Sequence, residues 1–355
     1  MALSRVRITA LRCVAEAALE LDAGRNYIYG PNGAGKTSLL EAIFVLGRGR
    51  SFRSRQTGRL VRHGQPGFSV YGEVTAGGRT HRIGVAFARG HLTKRVDGEE
   101  AAGMAALAEV LPVYALDPGS HQLVEGGPSE RRRFLDWGVF HVEPQYLEVW
   151  KRYRRVLGQR NAALKAGTLG SALRTWTDAL IETGAAVDQS RRAYLDRLKP
   201  LLLEFGQRLL GQPLAVAYRP GWPPAQSLES ALAAAERKDL LSRTTEVGPH
   251  RADLEIELAG RRLQDEASRG QQKLAAAAMT LAQLAAGATD TRAAKRVLLV
   301  DDPAAELDRH SLGRLLELLS ELPAQLVITG LSVEQLPPAP GFPVFHVERG
   351  EVRAV

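Results

Sequence analysis

A short glycine-rich segment, set between a mostly apolar run and an amphipathic pattern, constrains this chain more than any other feature. The segment Gly30-Pro31-Asn32-Gly33-Ala34-Gly35-Lys36-Thr37-Ser38 fits the pattern G-x-x-x-x-G-K-[ST] without a gap. Residues 26–29 precede it, and apolar residues recur at helical spacing from 36 to 46. This order predicts a strand, a loop and a helix, in which backbone N–H groups and the helix N-terminus surround an anion. The alternative is a glycine-rich turn that binds no ligand.

The residue types in the loop indicate which anion it binds. In loops of this pattern the lysine reaches the β- and γ-phosphates of a nucleotide, and the threonine hydroxyl holds Mg²⁺. We therefore assign these roles to Lys36 and Thr37. The predicted nucleotide-binding residues of the loop are Gly30, Pro31, Asn32, Gly33, Ala34, Gly35, Lys36, Thr37 and Ser38.

Composition narrows the class of protein. The 355 residues are 45% hydrophobic and 24% charged, which is typical of a globular protein. No stretch approaches the ~18 consecutive apolar residues of a membrane span, and Arg5, Arg7 and Arg12 interrupt the apolar residues near Met1, so we expect no signal peptide. Cys13 is the only cysteine, which excludes an internal disulfide and favours a cytoplasmic location. The net charge of +8 suits an anionic partner without identifying it.

Hydrophobic periodicity separates strand-rich chain ends from a helical middle. Helical patterns dominate from about 128 to 210. Short apolar or alternating runs predict strands at 4–9, 15–21, 26–29, 68–75, 80–88, 92–96, 111–116, 252–258, 298–300 and 326–329. Further helices are predicted at 269–287 and 308–322. We therefore predict an α/β fold: a P-loop nucleotide-binding head built from both chain ends (1–118 and 246–355) with a mostly helical inserted lobe (119–245).

A second apolar run, at 297–300, ends in two carboxylates. Ligands of open α/β sheets bind at the carboxyl ends of the strands, so Asp301 is predicted to hold Mg²⁺ opposite Thr37. Asp302 is predicted to orient or deprotonate the attacking water. Taken alone, the same residues would indicate only a strand followed by a helix with Asp308 as its N-cap.

The segment Ser268-Arg269-Gly270-Gln271 opens an alanine- and leucine-rich helical pattern. Ser268 is a favourable N-cap, Gly270 permits close approach, and the helix N-terminus attracts an anion. Taken alone, an ordinary helix cap is the simpler interpretation. The position of the segment ahead of Asp301 and Asp302 favours a functional one.

Together these three motifs resemble the heads of ABC-type ATPases, and within that group the RecF family. Segments 30–38, 268–271 and 299–308 stand in the order and spacing of those heads. The matches more particular to RecF proteins are 47–54, 126–137, 159–164 and 248–254. The resemblance therefore covers nearly the whole chain.

The resemblance implies an ABC-type ATPase head and a helical second lobe, with ATP and Mg²⁺ as cofactors. It implies that two subunits pair head to tail, so that ATP lies between the loop 30–38 of one and Ser268, Gly270 and Gln271 of the other. ATP would close this homodimer and hydrolysis would open it. Arg12 stands where related heads contact the nucleotide. The resemblance further implies binding at single-strand/double-strand DNA junctions (gaps) and partnership with RecR and RecO in loading RecA.

Two positions depart from the wider ABC pattern. Asp302 stands where most of these heads have glutamate, and because ~1 Å of misplacement can cost ~100-fold in rate, we expect slow hydrolysis. Thr329 takes the place of the switch histidine of transporter ATPases. Two alternative functions remain: a scaffold that binds ATP and DNA with negligible turnover, and a transporter ATPase subunit, which the segment 268–271 and the missing histidine disfavour.

Two arginine-rich stretches are candidate DNA contacts, because phosphate contacts carry affinity without sequence information. The first, residues 48–62, has six arginines and no acid and includes Arg53. The second, residues 130–165, holds nine basic and four acidic residues. It includes Arg131, Arg132, Arg133 and Arg155. The alternatives are a solvated helix face with ion pairs for the second stretch and, for Arg53, a role at the nucleotide or in a structural turn.

Overall fold

A computed structural model describes residues 2–287, 296–335 and 341–355, which form two compact units. The first unit holds the described residues up to Ser120 and from Arg296 onward, and the second holds His121–Gly287. The strands are β1 (Ala2–Leu11), β2 (Val14–Glu20), β3 (Arg25–Tyr29), β4 (Gly67–Ala76), β5 (Arg79–Ala88), β6 (His91–Val96), β7 (Glu99–Glu100), β8 (Val113–Leu116), β9 (Leu214–Arg219), β10 (Asp253–Leu258), β11 (Arg261–Arg262), β12 (Arg296–Val300), β13 (Ala324–Gly330), β14 (Val344–Glu348) and β15 (Glu351–Ala354).

The helices include one of 40 residues, α6. They are α1 (Lys36–Arg48), α2 (Met104–Val110), α3 (Gln122–Glu125), α4 (Pro128–Val142), α5 (Tyr146–Lys165), α6 (Ser171–Leu210), α7 (Leu228–Ser242), α8 (Leu263–Glu266), α9 (Arg269–Ala286), α10 (Pro303–Glu306) and α11 (Arg309–Glu321). Short 3₁₀ helices lie at Thr57–Leu60, Pro249–Arg251 and Val333–Gln335. None of the helices in the described ranges is long and apolar enough to span a bilayer.

The first unit is built on two six-stranded sheets with α1 between them. One sheet is antiparallel, in the order β2-β1-β4-β5-β6-β7, and the other has the order β15-β14-β3-β13-β12-β8. In the second sheet β14, β3, β13, β12 and β8 run parallel, and β15 is antiparallel to β14. Helix α1 contacts strands of both sheets, and its Leu39, Leu40 and Ile43 belong to the core between them.

Burial on both faces explains the sequence of the parallel strands. Every residue of β12 and of β13 is buried, which is why residues 297–300 and 326–328 read as continuous apolar runs rather than alternating ones. Because β13 pairs with β3 on one side and β12 on the other, the carboxyl ends of all three lie at one edge. The glycine-rich loop follows β3 and the two carboxylates follow β12, so the topology assembles a site from distant parts of the chain.

The second unit packs the helices α3 to α9 with a three-stranded sheet, β11-β10-β9. Helix α6 contacts α4, α5, α7, α9 and β9. A buried ion pair joins α5 to α7, since Arg160 donates to Asp239 at 2.7 Å and to the Thr245 hydroxyl at 2.8 Å. An unpaired charge in such a position is strongly destabilising, so this pair gives the segment 159–164 a structural role.

Most predicted elements are confirmed with boundary shifts of a few residues, including the long helices of the middle and the helices after Gly35 and Ser268. The sequence patterns do not predict α2, which has only seven residues. By packing, residues 246–287 belong to the second unit, whereas the sequence grouped them with the head. The predicted division into a head (1–118 and 246–355) and an inserted lobe (119–245) stays a prediction.

Candidate nucleotide site

The glycine-rich segment forms the predicted loop between β3 and α1. Gly30 has φ +156° and Gly33 has φ +77°, values that favour glycine. A Cβ on Gly30 would collide with the carbonyl oxygen of Val347 in the neighbouring strand β14. The Gly30 N–H donates to the Gly330 carbonyl at 3.3 Å, which ties the loop entrance to the end of β13. These contacts fix where the loop leaves the sheet.

The Lys36 side chain folds back over its own loop. Its Nζ is buried and donates to the carbonyl oxygens of Gly30 at 2.7 Å and Pro31 at 3.2 Å. Pro31, Asn32 and Gly33 are exposed, so the rim of the loop is open to solvent. The loop thus presents a preorganised ammonium group beside backbone N–H groups, which is the chemistry of a phosphate site.

Thr37, Asp301 and Thr329 converge where the three parallel strands end. The Thr37 Oγ1 lies 3.0 and 2.8 Å from the two carboxylate oxygens of Asp301. Thr329, near the end of β13, donates its hydroxyl to Asp301 Oδ1 at 2.9 Å and accepts the N–H of Asp302 at 2.9 Å. The structure therefore brings the two predicted Mg²⁺ ligands together, and it places the residue that replaces the switch histidine directly beside them.

The electrostatics of Asp301 fit a cation site. Burial raises the pKa of this carboxyl, hydrogen bonds from Thr37 and Thr329 oppose the rise, and the charge of Asp302 adds to it. Hydroxyl and carboxylate oxygens are the hard ligands that Mg²⁺ prefers. A divalent cation here would offset the cost of placing two carboxylates close together in a buried site.

Asp302 has an unusual backbone conformation. Its φ of 44° and ψ of 59° lie in the left-handed region, which a non-glycine residue adopts at some energetic cost. Its Oδ1 is buried and accepts no hydrogen bond from the described part of the chain. A bound water would satisfy this oxygen, which fits the predicted role of Asp302 in orienting water.

Arg12 makes contacts that the sequence does not reveal. It lies in the turn between β1 and β2 with φ 56°, and its guanidinium binds both oxygens of Glu41, with Nε to Oε2 at 2.8 Å and an Nη to Oε1 at 2.9 Å. Glu41 is fully buried on α1, one turn after Thr37. The sequence signal that could have indicated this ion pair was a single acid, Glu41, within the apolar helical pattern 39–46 of a chain rich in arginine. The predicted contact of Arg12 with nucleotide stays a prediction.

Cys13 borders the loop. Its Sγ lies 3.5 Å from the Ser38 Oγ, and a Cβ on Gly35 would lie 3.1 Å from the same sulfur. The residue is exposed. An exposed residue thus has its thiol in contact with a predicted nucleotide-binding residue.

The segment 268–271 forms a helix cap in the second unit. The Ser268 side chain accepts the Gln271 N–H, and the Gln271 side chain accepts the Ser268 N–H, which confirms the predicted N-cap as a complete capping box. All four residues are exposed. The helix N-terminus is therefore accessible to a ligand, and the predicted contact with a partner subunit's nucleotide stays a prediction.

The predicted DNA contacts differ in their surroundings. Arg131 is 3% exposed, pairs with both oxygens of Asp253 at 2.7 and 3.0 Å, and also binds two backbone carbonyls. Arg132 is half-buried and donates to the Ala252 carbonyl at 2.7 Å. These contacts favour a structural role for both residues, and the burial of Arg131 also differs from the solvated helix face that the sequence offered as the alternative.

The remaining candidates are accessible. Arg133 is exposed and pairs with Glu130 one turn earlier in α4. Arg155 is exposed on α5, and none of the described side chains forms an ion pair with it. Arg53 is 49% exposed and lies 3.9 Å from Glu41. Of the five predicted arginines, these three are the exposed ones, so they are the most accessible to a phosphate.

Comparisons with known proteins agree with this geometry. The family model described as RecF/RecN/SMC N terminal domain matches residues 2–349. Proteins named DNA replication and repair protein RecF from Thioalkalivibrio sulfidiphilus and Azotobacter vinelandii are 40% and 41% identical, and each alignment covers 99% of this chain and 99% or 98% of the relative.

Solved structures show the same relationship. The structure described as recombination mediator protein RecF-ATP in the RecFOR pathway has a TM-score of 0.88 and 28% identity, over 100% of this chain and 97% of that one. An Smc head bound to the C-winged helix domain of ScpA has a TM-score of 0.61 at 16% identity, over 100% and 97%, a likeness of fold alone. The chain therefore belongs to the RecF family, and its fold is that of an ABC-type ATPase head.

Proposed function

We propose that this chain is an ATP-dependent DNA-binding protein of recombinational repair, in which ATP closes a homodimer on DNA. The observation that carries the proposal is the convergence of Lys36, Thr37 and Asp301 at one end of the parallel sheet. The names of the relatives support the biological setting, since they are DNA replication and repair proteins and one similar structure is described as a recombination mediator with ATP.

The residues of the loop have distinct tasks in this proposal. Lys36 exchanges the loop carbonyls for phosphate oxygens when ATP binds. Thr37 and Asp301 hold Mg²⁺, which when bound neutralises charge on the phosphates. Asp302 accepts a hydrogen bond from the attacking water at the buried Oδ1. Its side chain is one methylene shorter than that of glutamate, so hydrolysis is slow. Hydrolysis removes the γ-phosphate and so returns the dimer to monomers.

The dimer completes the site. The exposed N-terminus of α9, with Ser268, Gly270 and Gln271, faces the γ-phosphate of ATP held by the partner subunit. The helix dipole favours an anion there. Since only ATP has the γ-phosphate, the closed state is stabilised by ATP and not by ADP.

The wider partners follow from the family. We propose a cytoplasmic protein that binds single-strand/double-strand junctions at gaps and works with RecR and RecO in loading RecA. Arg53, Arg133 and Arg155 supply accessible positive charge for the DNA backbone. A second candidate function is a scaffold that binds ATP and DNA with negligible turnover. The observation that favours this second function is the strained, left-handed backbone of Asp302, the short residue proposed to orient the attacking water.

The test is the molar mass in solution with ATP, ADP and junction DNA in all combinations, measured by light scattering. We expect dimers with ATP, more dimer when junction DNA is added, and monomers with ADP. Lys36→Ala should stay monomeric, whereas Lys199→Ala, an exposed lysine paired with Asp196, should behave as wild type. A mass independent of nucleotide contradicts the proposal. Single-turnover hydrolysis with and without DNA separates an ATPase from the scaffold.

A further inference from the structure

Glu41 is a buried carboxylate that the phosphate and metal chemistry of the site does not use. Its side chain is 0% exposed, one helical turn after Thr37. Both oxygens are engaged by Arg12, the Ser51 hydroxyl donates to Oε1, and an Arg53 Nη lies 3.9 Å from Oε2. One carboxylate on the phosphate-loop helix thus gathers three side chains from two other segments.

Ser51 connects Glu41 to the backbone of the arginine-rich loop, residues 48–62. The same Oγ that donates to Glu41 accepts the backbone N–H groups of Arg53 and Ser54, each at 2.9 Å. The conformation of the loop at Arg53 therefore depends on the hydroxyl that Glu41 holds.

Arg12 ties down the other end of the loop. Its backbone N–H donates to the Leu60 carbonyl at 2.7 Å, and its guanidinium donates to the Arg59 carbonyl at 2.9 Å. Both ends of the arginine-rich loop are consequently fastened, through Ser51 or Arg12, to the single carboxylate of Glu41.

The cost of an unpaired buried charge makes this connection stiff. If Arg12 or Ser51 moved alone, Glu41 would lose charge-assisted hydrogen bonds in a site without solvent, which is strongly unfavourable. The hydrogen bond to Glu41 also raises the pKa of Arg12, so its guanidinium stays charged. The arginine-rich loop and α1 therefore move together or not at all.

We propose that Glu41 is a positioning residue that couples the nucleotide loop to the arginine-rich loop, so that phosphates bound on residues 48–62 change the affinity for ATP at residues 30–38. The inference rests on the proposed function, because it takes the DNA backbone as the ligand of the arginine-rich loop. Coupling between two ligands is reciprocal, so ATP changes the affinity for DNA by the same factor.

The test measures the affinity for a fluorescent ATP analogue with and without junction DNA, and takes the ratio as the coupling factor. We expect at least about a fivefold ratio for the wild-type protein. Glu41→Gln keeps the shape of the side chain and removes its charge, and should bring the ratio close to one in a protein that circular dichroism shows to be folded. Glu73→Gln, which alters an ion-paired glutamate on β4, is the matched control and should keep the wild-type ratio.

A wild-type ratio in Glu41→Gln overturns the inference. If that variant does not fold, Ser51→Ala releases one end of the loop without touching the buried charge pair, and a wild-type ratio there overturns the inference equally. A wild-type protein that binds both ligands with a ratio of one overturns the coupling and leaves the proposed function standing. A protein that binds no DNA overturns the proposed function itself.

Discussion

The Thr37 hydroxyl lies 2.8 Å from one carboxylate oxygen of Asp301 and 3.0 Å from the other, although 264 positions separate the two residues. The strand order β3-β13-β12 produces this proximity, because it sets the ends of β3 and β12 on either side of β13. Thr329, from β13, adds its hydroxyl to the same carboxylate. A hydroxyl and a carboxylate held this way agree with the predicted pair of Mg²⁺ ligands.

Asp301→Asn tests this site. The amide keeps the shape of the side chain and removes its charge, so ATP binding should lose its dependence on Mg²⁺, with affinity in Mg²⁺ falling by about tenfold or more. Nucleotide titrations with and without Mg²⁺ measure the effect. Asp308→Asn is the control, because Asp308 caps α11 and asparagine caps as well as aspartate. Full Mg²⁺ dependence in Asp301→Asn would count against the assignment.

The sequence predicted those parts of the site that local motifs encode. The loop 30–38, the two carboxylates after β12 and the Ser268 cap each follow from residue types at fixed spacing. Glu41 was missed because a single acid in a helix carries no signal of its partners, which come from the turn at Arg12 and the loop at Ser51. The pairing of residues distant in the chain is a property of packing, which periodicity does not report.

The same limit applies to the arginines at 131–133. A run of basic residues predicts an exposed charged face, yet Arg131 is bound to Asp253, a residue of a different element more than one hundred positions later. Sequence alone cannot tell a paired arginine from a solvated one. Burial distinguishes them, and it separates Arg131 from Arg155.

Ser268→Arg should spare ATP binding by the monomer and block ATP-dependent pairing. The larger cation occupies the exposed helix N-terminus that the proposal places against a partner's nucleotide. The change also removes an N-cap, which costs about 1 kcal/mol. Ser227→Arg removes the corresponding cap of α7 and serves as the control. In the presence of ATP, light scattering should show monomers for Ser268→Arg and dimers for Ser227→Arg. Dimers in both variants would contradict a nucleotide site shared between subunits.

Alkylation of Cys13 should depend on nucleotide. Cys13 is an exposed residue whose sulfur lies 3.5 Å from Ser38 Oγ, so a maleimide adduct would crowd the loop. We expect N-ethylmaleimide to weaken ATP binding, and ATP to slow the reaction. Mass spectrometry of the intact protein follows the rate, with Cys13→Ser as the unreactive control that keeps ATP binding. Equal rates with and without ATP would place the nucleotide away from this thiol.

His250 should make the second unit less stable in mild acid. Burial lowers its pKa to about 4 and the charge of Arg251 adds to the fall, whereas the hydrogen bond from Nε2 to the Thr245 carbonyl at 2.9 Å opposes it. In the neutral ring Nδ1 accepts the Tyr153 hydroxyl at 2.6 Å. The unfolded chain binds the proton with a pKa of about 6.5, so the free energy of unfolding falls as the pH drops below that value. From pH 7 to pH 5 this amounts to about 2 kcal/mol.

All four tryptophans lie in the second unit, so their fluorescence reports its unfolding in urea. Wild-type protein should lose more stability between pH 7 and pH 5 than His250→Gln, by the amount given above. His63→Gln changes an exposed histidine of the first unit and should follow the wild type. An equal pH dependence in wild type and His250→Gln would show that the imidazole is not held neutral.

Substitutions at Arg131 and Arg155 should have opposite effects: the first should lower stability, and the second should weaken DNA binding. Arg131→Ala leaves Asp253 without its partner and should lower the free energy of unfolding of the second unit by roughly 3 kcal/mol. Arg155→Glu should leave stability unchanged and weaken binding of junction DNA, with a salt dependence reduced by about one phosphate contact. Arg174→Glu places the same charge change on an exposed residue outside both arginine-rich stretches and controls for net charge.

Urea unfolding followed by tryptophan fluorescence, and DNA titrations at several salt concentrations, distinguish the two effects. If Arg155→Glu binds DNA no more weakly than Arg174→Glu, the face of α5 is only a solvated surface, and the DNA contacts must come from the first arginine-rich stretch. If Arg131→Ala is as stable as wild type but loses DNA binding, the buried pair with Asp253 does not hold in solution. We expect Arg131→Ala to lose stability and Arg155→Glu to lose affinity for DNA. An arginine that is 3% exposed and bound to Asp253 stabilises the fold, whereas only an exposed arginine can release the counterions of a phosphate backbone.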